Sequence, residues 1–597
     1  VSTLVCDTEV YANYFLVSFR NVITGNVRHF EKFDGNVLDI ETVSKILHSS
    51  TIVTFNGNNF DLPILALALT GASCQRIKDM CDAIIVKQMK GWQAADKFRV
   101  KLSDRIDHID LFEVAPGRAS LKIYGGKMHS KRMQDLPIEP DALIDEAQRG
   151  QLREYCANDL QTTQDLFNYL TPQLQLREAM SAQYEQDLRS KSDAQIAEAV
   201  IKSIMYQQTG KKPQCPNIDP GTKYFYQAPD FIKFVTPQLQ QILSLIEVEP
   251  FYVGANGSML MPDALKDLKI TIGDSQYKLG IGGLHSCETT VAYKADSRYV
   301  LIDRDVTSYY PEIILKCGLY PKHLGPNFLT IYGGLVERRV KAKTEGIKVE
   351  ADSMKTTVNG SFGKLGNRYS ALYAPDLMIQ VTITGQLALL MLIEGIEFLG
   401  AHVISANTDG VLIHCHVRLI DALKVVVAHW EKMTGFTTEE TRYLAYYARD
   451  VNNYIALKDG ATVKLKGAYA PPVIAASSWP NPHNQVCIDA IINLLTLGVP
   501  VADTIALCND VRRFVTIRTV KGGAIKDGVY LGKAVRWIYS RFCPGPISYK
   551  INGYTVPRSE GARPVMELPD EVPGDIDRDW YVTEANSILK DIGCEVI

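Results

Sequence analysis

Paired cysteines are missing from this chain. Its twelve cysteines stand singly, with no CxxC among them, which argues against a zinc module and for a reducing compartment. No unbroken apolar run reaches the roughly 18 residues that cross a bilayer. The longest, LALLMLIEGIEFLG, is interrupted by Glu394 and Glu397, so no membrane partner is expected. Asp7 and Glu9 fall inside the first apolar stretch, which is unlike a secretory leader. The start at Val1 rather than at a Met leaves trimming of N-terminal residues open. Internal repeats and low-complexity tracts are lacking too. A net charge of −3 excludes a simple polyanion binder.

What is present is a globular composition, 46% hydrophobic over 597 residues, enough for roughly four domains at about 150 residues each. The charge is uneven. Arg512, Arg513, Arg518, Lys521, Lys526, Lys533, Arg536, Arg541 and Lys550 are interleaved with Phe514, Tyr530, Trp537, Tyr539 and Phe542, and acids are nearly absent there. This pattern suits a surface that tracks a nucleic-acid backbone; the plainer reading is a solvated face. From 1 to about 170, strand patterns (STLVCD, FLVSF, TIVTFNG) alternate with helical ones, of which DEAQRGQLREYCANDLQTTQDLFNYL is the longest. SRYVLIDRDV reads as a buried strand, 334–366 as two helices around Glu345-Gly346, and a Pro-rich break at 470–484 precedes the basic region. His414 and His416 alternate onto one strand face, a better account of HCH than a metal site.

Asp7 and Glu9 lie two apart on a strand and so share a face. Asp61 follows a second strand, in FNGNNFDLP. Tyr155 and Asp159 lie four apart on the long helix and share a face there. Acids that converge this way raise one another's pKa unless compensated. A pair of divalent cations compensates them and supports in-line phosphoryl chemistry.

A second set of acids sits at strand ends. Asp305 closes SRYVLIDRDV. Asp409 sits in VISANTDGVLIH, where Asp-Gly is also a strong hairpin-turn signal because Gly takes a positive φ. Between them, KTTVNGSFG puts Lys355 and Asn359 on one helical face. Arg339 and Lys343, also four apart, fall on an antiparallel partner helix. These cations form a phosphate cradle, and Gly360 and Gly363 leave room for a base pair against the helix.

DTE, NGNNFD and YCAND resemble the three motifs of proofreading 3′–5′ exonucleases with a catalytic tyrosine. DVTSYYPEII, KTTVNGSFG and ANTDG resemble motifs A, B and C of family B DNA polymerases. The resemblance runs from residue 7 to about 470 and includes IGGLHS, like a Gly-Gly linker motif, and VNNYIALKDGATVKLKG, like a palm segment near the primer terminus. It implies that Asp7, Glu9, Asp61 and Asp159 hold metals while Tyr155 orients a water. Asn56 and Phe60 would touch a single-stranded primer end. Asp305 and Asp409 would bind two Mg²⁺ ions, with Mn²⁺ as a substitute. Arg339, Lys343 and Lys355 would bind the incoming triphosphate, Tyr310 would act as a steric gate against a ribose, and Asn359 and Phe362 would line the nascent pair. Gly282, Gly283 and Lys466 would contact DNA.

The implied fold is α/β and α+β multidomain: a ribonuclease H-like exonuclease domain at 1–190, an intervening region at 191–290, and then a right hand. The palm, at 291–325 and 369–484, would carry a mixed sheet; the fingers would span 326–368 and the thumb 485–597. Departures are Tyr309 where the family usually has Leu, Gly360 and Phe362 in the second motif, and Asn407 in place of an acid in the third. Only 50 positions separate Asp305 from Lys355, and 44 separate Gly363 from Asn407. The insertions of protein-primed relatives do not fit there, and the first motif lies almost at the start. The expected activity is therefore extension of an ordinary primer with dNTPs, with proofreading. The expected enzyme is compact and phage- or mobile-element-encoded, works in a host cytoplasm, and has processivity, helicase or single-strand-binding partners. The alternatives are a protein-primed polymerase, an exonuclease with a degenerate polymerase half, and a non-catalytic replication scaffold.

Overall fold

The computed structural model describes residues 2–101, 105–458, 462–471 and 484–594. Most of the Pro-rich break expected at 470–484 lies outside them.

The first sheet has the strand order Val27–Lys32, Tyr14–Asn21, Ser2–Tyr11, Ser50–Thr54, His108–Asp110. The first three strands are antiparallel; the last two run parallel to Ser2–Tyr11. Alternation along the central strand sends Cys6 and Val10 into the core with Phe15, Val17 and Phe19, and leaves Asp7 and Glu9 together on the opposite face. Helix Glu146–Tyr169 crosses that face. A capping box starts it: the Asp145 carboxylate accepts from Gln148 N at 2.8 Å, and the Gln148 side chain accepts from Asp145 N at 2.9 Å. Its buried stripe of Leu152, Tyr155, Cys156, Asp159 and Leu160 repeats at three- and four-residue spacing.

A seven-stranded sheet carries the second pair of acids. Its order is Thr438–Tyr443, Tyr299–Val306, Gly410–His416, His402–Asn407, His285–Ser286, Ser275–Lys278, Lys269–Ile272. The mixed sheet expected here is instead antiparallel at every pairing: hairpins or short loops join three of the six neighbouring pairs, and in the other three the helical segments return the chain in the opposite direction. Against it lies helix Pro375–Phe398. Its length and apolarity would suffice to cross a membrane, yet 83% of its apolar window is buried inside the protein. The acids that interrupt this run have structural work. Glu394 accepts from the backbone N–H groups of Val235 and Thr236 at 3.0 and 2.8 Å, and Glu397 accepts from Val403 N at 2.7 Å.

Helices Asn327–Thr344 and Lys348–Leu365 form the expected hairpin, turning at Gly346 with φ 72°. The second helix packs on helix Asp193–Thr209. A Cβ on Gly360 would stand 2.6 Å from Asp193 O, so this glycine serves helix packing, not the approach of a base pair; Gly363 faces open space. His414 stacks on Tyr299 at 4.5 Å and His416 meets the same ring edge-on at 5.1 Å, so both histidines do share one strand face.

The C-terminal region is a sheet ordered Ser548–Tyr549, Thr516–Lys526, Val529–Tyr539, Ala562–Pro564, backed by helices Gln485–Leu497, Val501–Leu507 and Arg578–Asp591. Some of the basic and aromatic residues that suggest a nucleic-acid-tracking surface lie in its interior. Phe514, Trp537 and Tyr539 are core residues. Lys526 is buried and donates to Pro544 O and Gly545 O, and Arg536 is wholly buried. Arg512, Arg513, Lys521, Tyr530, Lys533, Arg541, Phe542 and Lys550 remain exposed.

Candidate active sites

In the first site, Asp7 and Glu9 come from the central strand, Asp61 from the first residue of helix Asp61–Ala68, and Tyr155 and Asp159 from successive turns of Glu146–Tyr169. Donor atoms of Asp7, Glu9 and Cys156 lie within 4.8 Å of one another. Burial, then the neighbouring carboxylates, push Asp7 and Glu9 well above the usual range. Burial lifts Asp61 to about 7 and Asp159 to about 6, even though Thr8 donates to Asp61 at 2.7 Å and Lys122 pulls Asp159 down. The Tyr155 hydroxyl accepts from Lys122 Nζ at 2.7 Å, and burial, then the Asp159 carboxylate beside it, raise the phenol above its ordinary value. Four crowded carboxylates with one ammonium beside them form a donor set that suits divalent cations.

Sequence reasoning missed three residues here. Cys156 donates its thiol to Asp7 Oδ2 at 3.6 Å, and burial pushes that thiol far up. Lys122, from helix Leu121–Lys127, is the cation of the site. Asp110 is buried and accepts from Asn56 N at 2.7 Å, Asn58 N at 2.9 Å and Phe112 N at 3.0 Å, which fixes the loop carrying Asn56 and Phe60. Asn56 is held at φ 66°, a conformation that Asn tolerates.

In the second site, Asp305 pairs with Gly410 across the sheet and Val306 N donates to Asp409 O at 2.7 Å, so the two acids are neighbours. Both reach solvent. The walls around them still withdraw enough water to raise Asp305 to about 6, with Asp303 adding to the shift, and to raise Asp409 as well. The hairpin tip corrects the turn expectation. The positive φ, 58°, belongs to Thr408 and not to Gly410. A Cβ on Gly410 would stand 2.3 Å from Asp305 Oδ1, so the glycine is there to admit the carboxylate. Ser308, just before helix Tyr309–Lys316, is likewise left-handed at φ 51°, and Arg339 donates to its hydroxyl at 3.0 Å. Strained backbone of this kind persists where the surroundings over-determine it.

Asp409 faces two cavities. One, of about 260 Å³, is lined by Tyr310, Arg339, Asn359, Phe362 and Thr408 among others. The other, of about 220 Å³, is lined by Asp303, Asp305, Asn407, Lys464 and Lys466 among others. Tyr310 packs on Phe362 with ring centroids 4.4 Å apart and donates to Gly282 O at 2.5 Å, which fixes its ring. Gly283, expected to touch DNA, is buried; a Cβ there would meet Thr408 Oγ1 at 2.8 Å, so only Gly282 of the pair is exposed. Lys343 and Lys355 are exposed on the helical hairpin and do not line the cavity. Tyr309, standing where Leu was the usual residue, is buried and donates to Gly385 O at 2.6 Å. Asn407 has a task that an acid could not perform: its amide donates to Val451 O and Asn452 Oδ1, both at 3.2 Å, and so ties the hairpin to the next sheet. Asp303 is a further acid that the sequence did not single out. It accepts from Tyr443 OH and sits 3.4 Å from Lys464 Nζ.

No family model matches the chain, and no curated protein does. Among solved structures it is similar to the family B DNA polymerase from the hyperthermophilic archaeon Pyrobaculum calidifontis, at 15% identity over all of this chain and 78% of that one, with a TM-score of 0.42. A likeness that weak carries neither fold nor function.

Proposed function

We propose that the chain is a template-directed DNA polymerase of the family B type with a 3′–5′ proofreading exonuclease, in which the first sheet is the ribonuclease H-like domain. The observation that carries this reading is the position of Asp409. One carboxylate is shared between a cavity walled by Arg339, Asn359, Phe362 and Tyr310 and a cavity walled by Asp305, Lys464 and Lys466. The first accepts an incoming nucleotide, the second a primer end, and the acid stands where the new bond forms.

Arg339 meets the triphosphate while Ser308 holds its guanidinium in place; Lys343 and Lys355 are within the same helical hairpin and add positive charge as it closes. Tyr310 presents its fixed ring to the sugar and excludes a 2′-hydroxyl. Asp305 and Asp409 hold Mg²⁺, or Mn²⁺ in its place. Metals held there would supply activation of the primer hydroxyl and charge neutralisation on the leaving pyrophosphate. Lys466 steadies the primer backbone. In the first site Asp7, Glu9, Asp61 and Asp159 hold the second metal pair, Asn56 and Phe60 grip a frayed end, and Tyr155 orients the attacking water. The template and primer are the partners this requires; the short intervals between Asp305 and Lys355 and between Gly363 and Asn407 accord with a phage or mobile-element origin.

The test is single-nucleotide addition. With a labelled primer on a template, Mg²⁺ and one dNTP at a time, only the complementary nucleotide should be added. Addition regardless of template, or none with any dNTP, overturns the reading.

A further inference from the structure

We propose that Asp135 is a positioning residue for the exonuclease reaction, through which the C-terminal sheet sets the orientation of Tyr155. The inference rests on the exonuclease reading above. Asp135 Oδ1 accepts from Lys122 Nζ at 3.0 Å, and the same ammonium donates to Tyr155 OH at 2.7 Å. Asp135 Oδ2 accepts from Tyr530 OH at 2.9 Å and from Lys533 N at 3.2 Å, both on strand Val529–Tyr539. A hydrogen-bonded path therefore runs from the C-terminal sheet to the phenol: Tyr530, Asp135, Lys122, Tyr155.

The surroundings are built for this contact. Gly532 sits at φ 97°, and a Cβ there would fall 2.7 Å from Asp135 Cβ, so the strand approaches that closely only as glycine. The segment carrying Asp135 is clamped to the C-terminal region. Met133 N donates to Met566 O at 2.8 Å, Leu568 N donates to Lys131 O at 2.7 Å, and the buried Arg536 guanidinium donates to Ser130 O at 2.8 Å and Lys131 O at 3.1 Å. Burial pushes the Asp135 carboxyl up, but Lys122 and Tyr530 outweigh it and hold the group ionised, below the usual carboxylate range.

The consequence is directional. With Lys122 donating to the phenolic oxygen, the Tyr155 hydroxyl must turn its own proton away from the ammonium. Loosening Asp135 frees the ammonium to swing onto Glu9 or Asp159, and the phenol loses its fixed orientation. The C-terminal sheet thus acts on primer shortening without touching the reacting atoms.

The experiment is a double-mutant cycle on the full chain, with a labelled single-stranded oligonucleotide and Mg²⁺. Asp135→Asn should lower kcat for shortening about tenfold, as loss of an outer-shell partner does, with KM unchanged. Tyr530→Phe should cost about threefold, the worth of one hydrogen bond. In a Tyr155→Phe background, either change should have less than about a twofold further effect, because the path no longer has an end to act on. Binding of the same oligonucleotide in EDTA should be equal in all variants, and extension in the presence of dNTPs should be retained. Multiplicative losses in the Tyr155→Phe background, native kcat in Asp135→Asn, or an equal loss of extension would each overturn the proposal. Shortening that survives Asp7→Ala is a different failure: it removes the exonuclease reading, and the proposal with it.

Discussion

Replacing Gly410 with Ala separates two accounts of the hairpin tip. If Gly410 were a turn residue, its substitution would cost stability through backbone strain, and Asn would be the best replacement. The structure puts the positive φ at Thr408 and places Asp305 Oδ1 2.3 Å from where an Ala Cβ would stand. Ordinary contact begins near 3.4 Å, so the carboxylate must retreat by about 1.1 Å. A displacement of about 1 Å in a reacting group costs on the order of 10²-fold in rate, or about 2.7 kcal/mol of barrier. The backbone conformation suits Ala, and the other near neighbour, Arg304 O at 3.2 Å, can yield by a few tenths of an ångström. The stability cost should therefore stay near the lower end of the about 1–3 kcal/mol typical of overpacking. The assay is single-turnover extension of a labelled primer, with shortening of the same primer without dNTPs as the internal control and thermal unfolding as the fold control. Gly410→Ala should lose extension about 100-fold while shortening and Tm change little, and Gly410→Asn should be worse still. Extension within about threefold of native in Gly410→Ala would refute the close-approach account.

Asn407→Asp, which restores the acid usual in the resembled motif, should weaken the protein: it removes a donor from Val451 O and Asn452 Oδ1, at about 1–3 kcal/mol; an unchanged Tm with faster extension would contradict this. Gly360→Ala should lower Tm through overpacking against Asp193 O, at about 1–3 kcal/mol, with an unchanged KM for dNTP. The Asp61 carboxyl is lifted to about 7 in the folded chain from about 4 unfolded. Its contribution to metal-free stability is full below about pH 4 and is lost as pH rises through about 7. The Tm of the native chain in EDTA should therefore fall relative to Asp61→Asn between pH 5 and pH 8, and Mg²⁺ affinity should rise over the same range as protons leave; a flat difference would count against the uncompensated cluster.

The residues legible in the sequence are those whose neighbours lie within a few positions. Asp7 with Glu9, Tyr155 with Asp159, and the strand-end positions of Asp305 and Asp409 follow from local periods. The helical hairpin and the long buried helix were equally readable. What escaped depends on distant pairing. Lys122 gains meaning only beside Tyr155, Asp110 only beneath the Asn56 loop, and Asp135 only against a strand some 395 positions onward. Arg536 and Lys526 looked like surface cations because composition does not show that backbone carbonyls surround them. Gly410 and Gly360 were given the usual reasons for a glycine, a turn and an open face, whereas each is dictated by an atom from another element. The sheet of Asp305 and Asp409 was misread as mixed because strand direction depends on connections that alternation along one strand does not encode.

The central claim is that two carboxylate platforms perform opposite reactions on one primer end. The most direct measurement is a labelled primer on a template with Mg²⁺, with and without dNTPs, for the native chain, Asp409→Asn and Asp7→Ala. The account predicts that Asp409→Asn abolishes extension and leaves shortening, while Asp7→Ala abolishes shortening and leaves extension. A native chain that only shortens the primer, or one substitution that removes both activities, would contradict it.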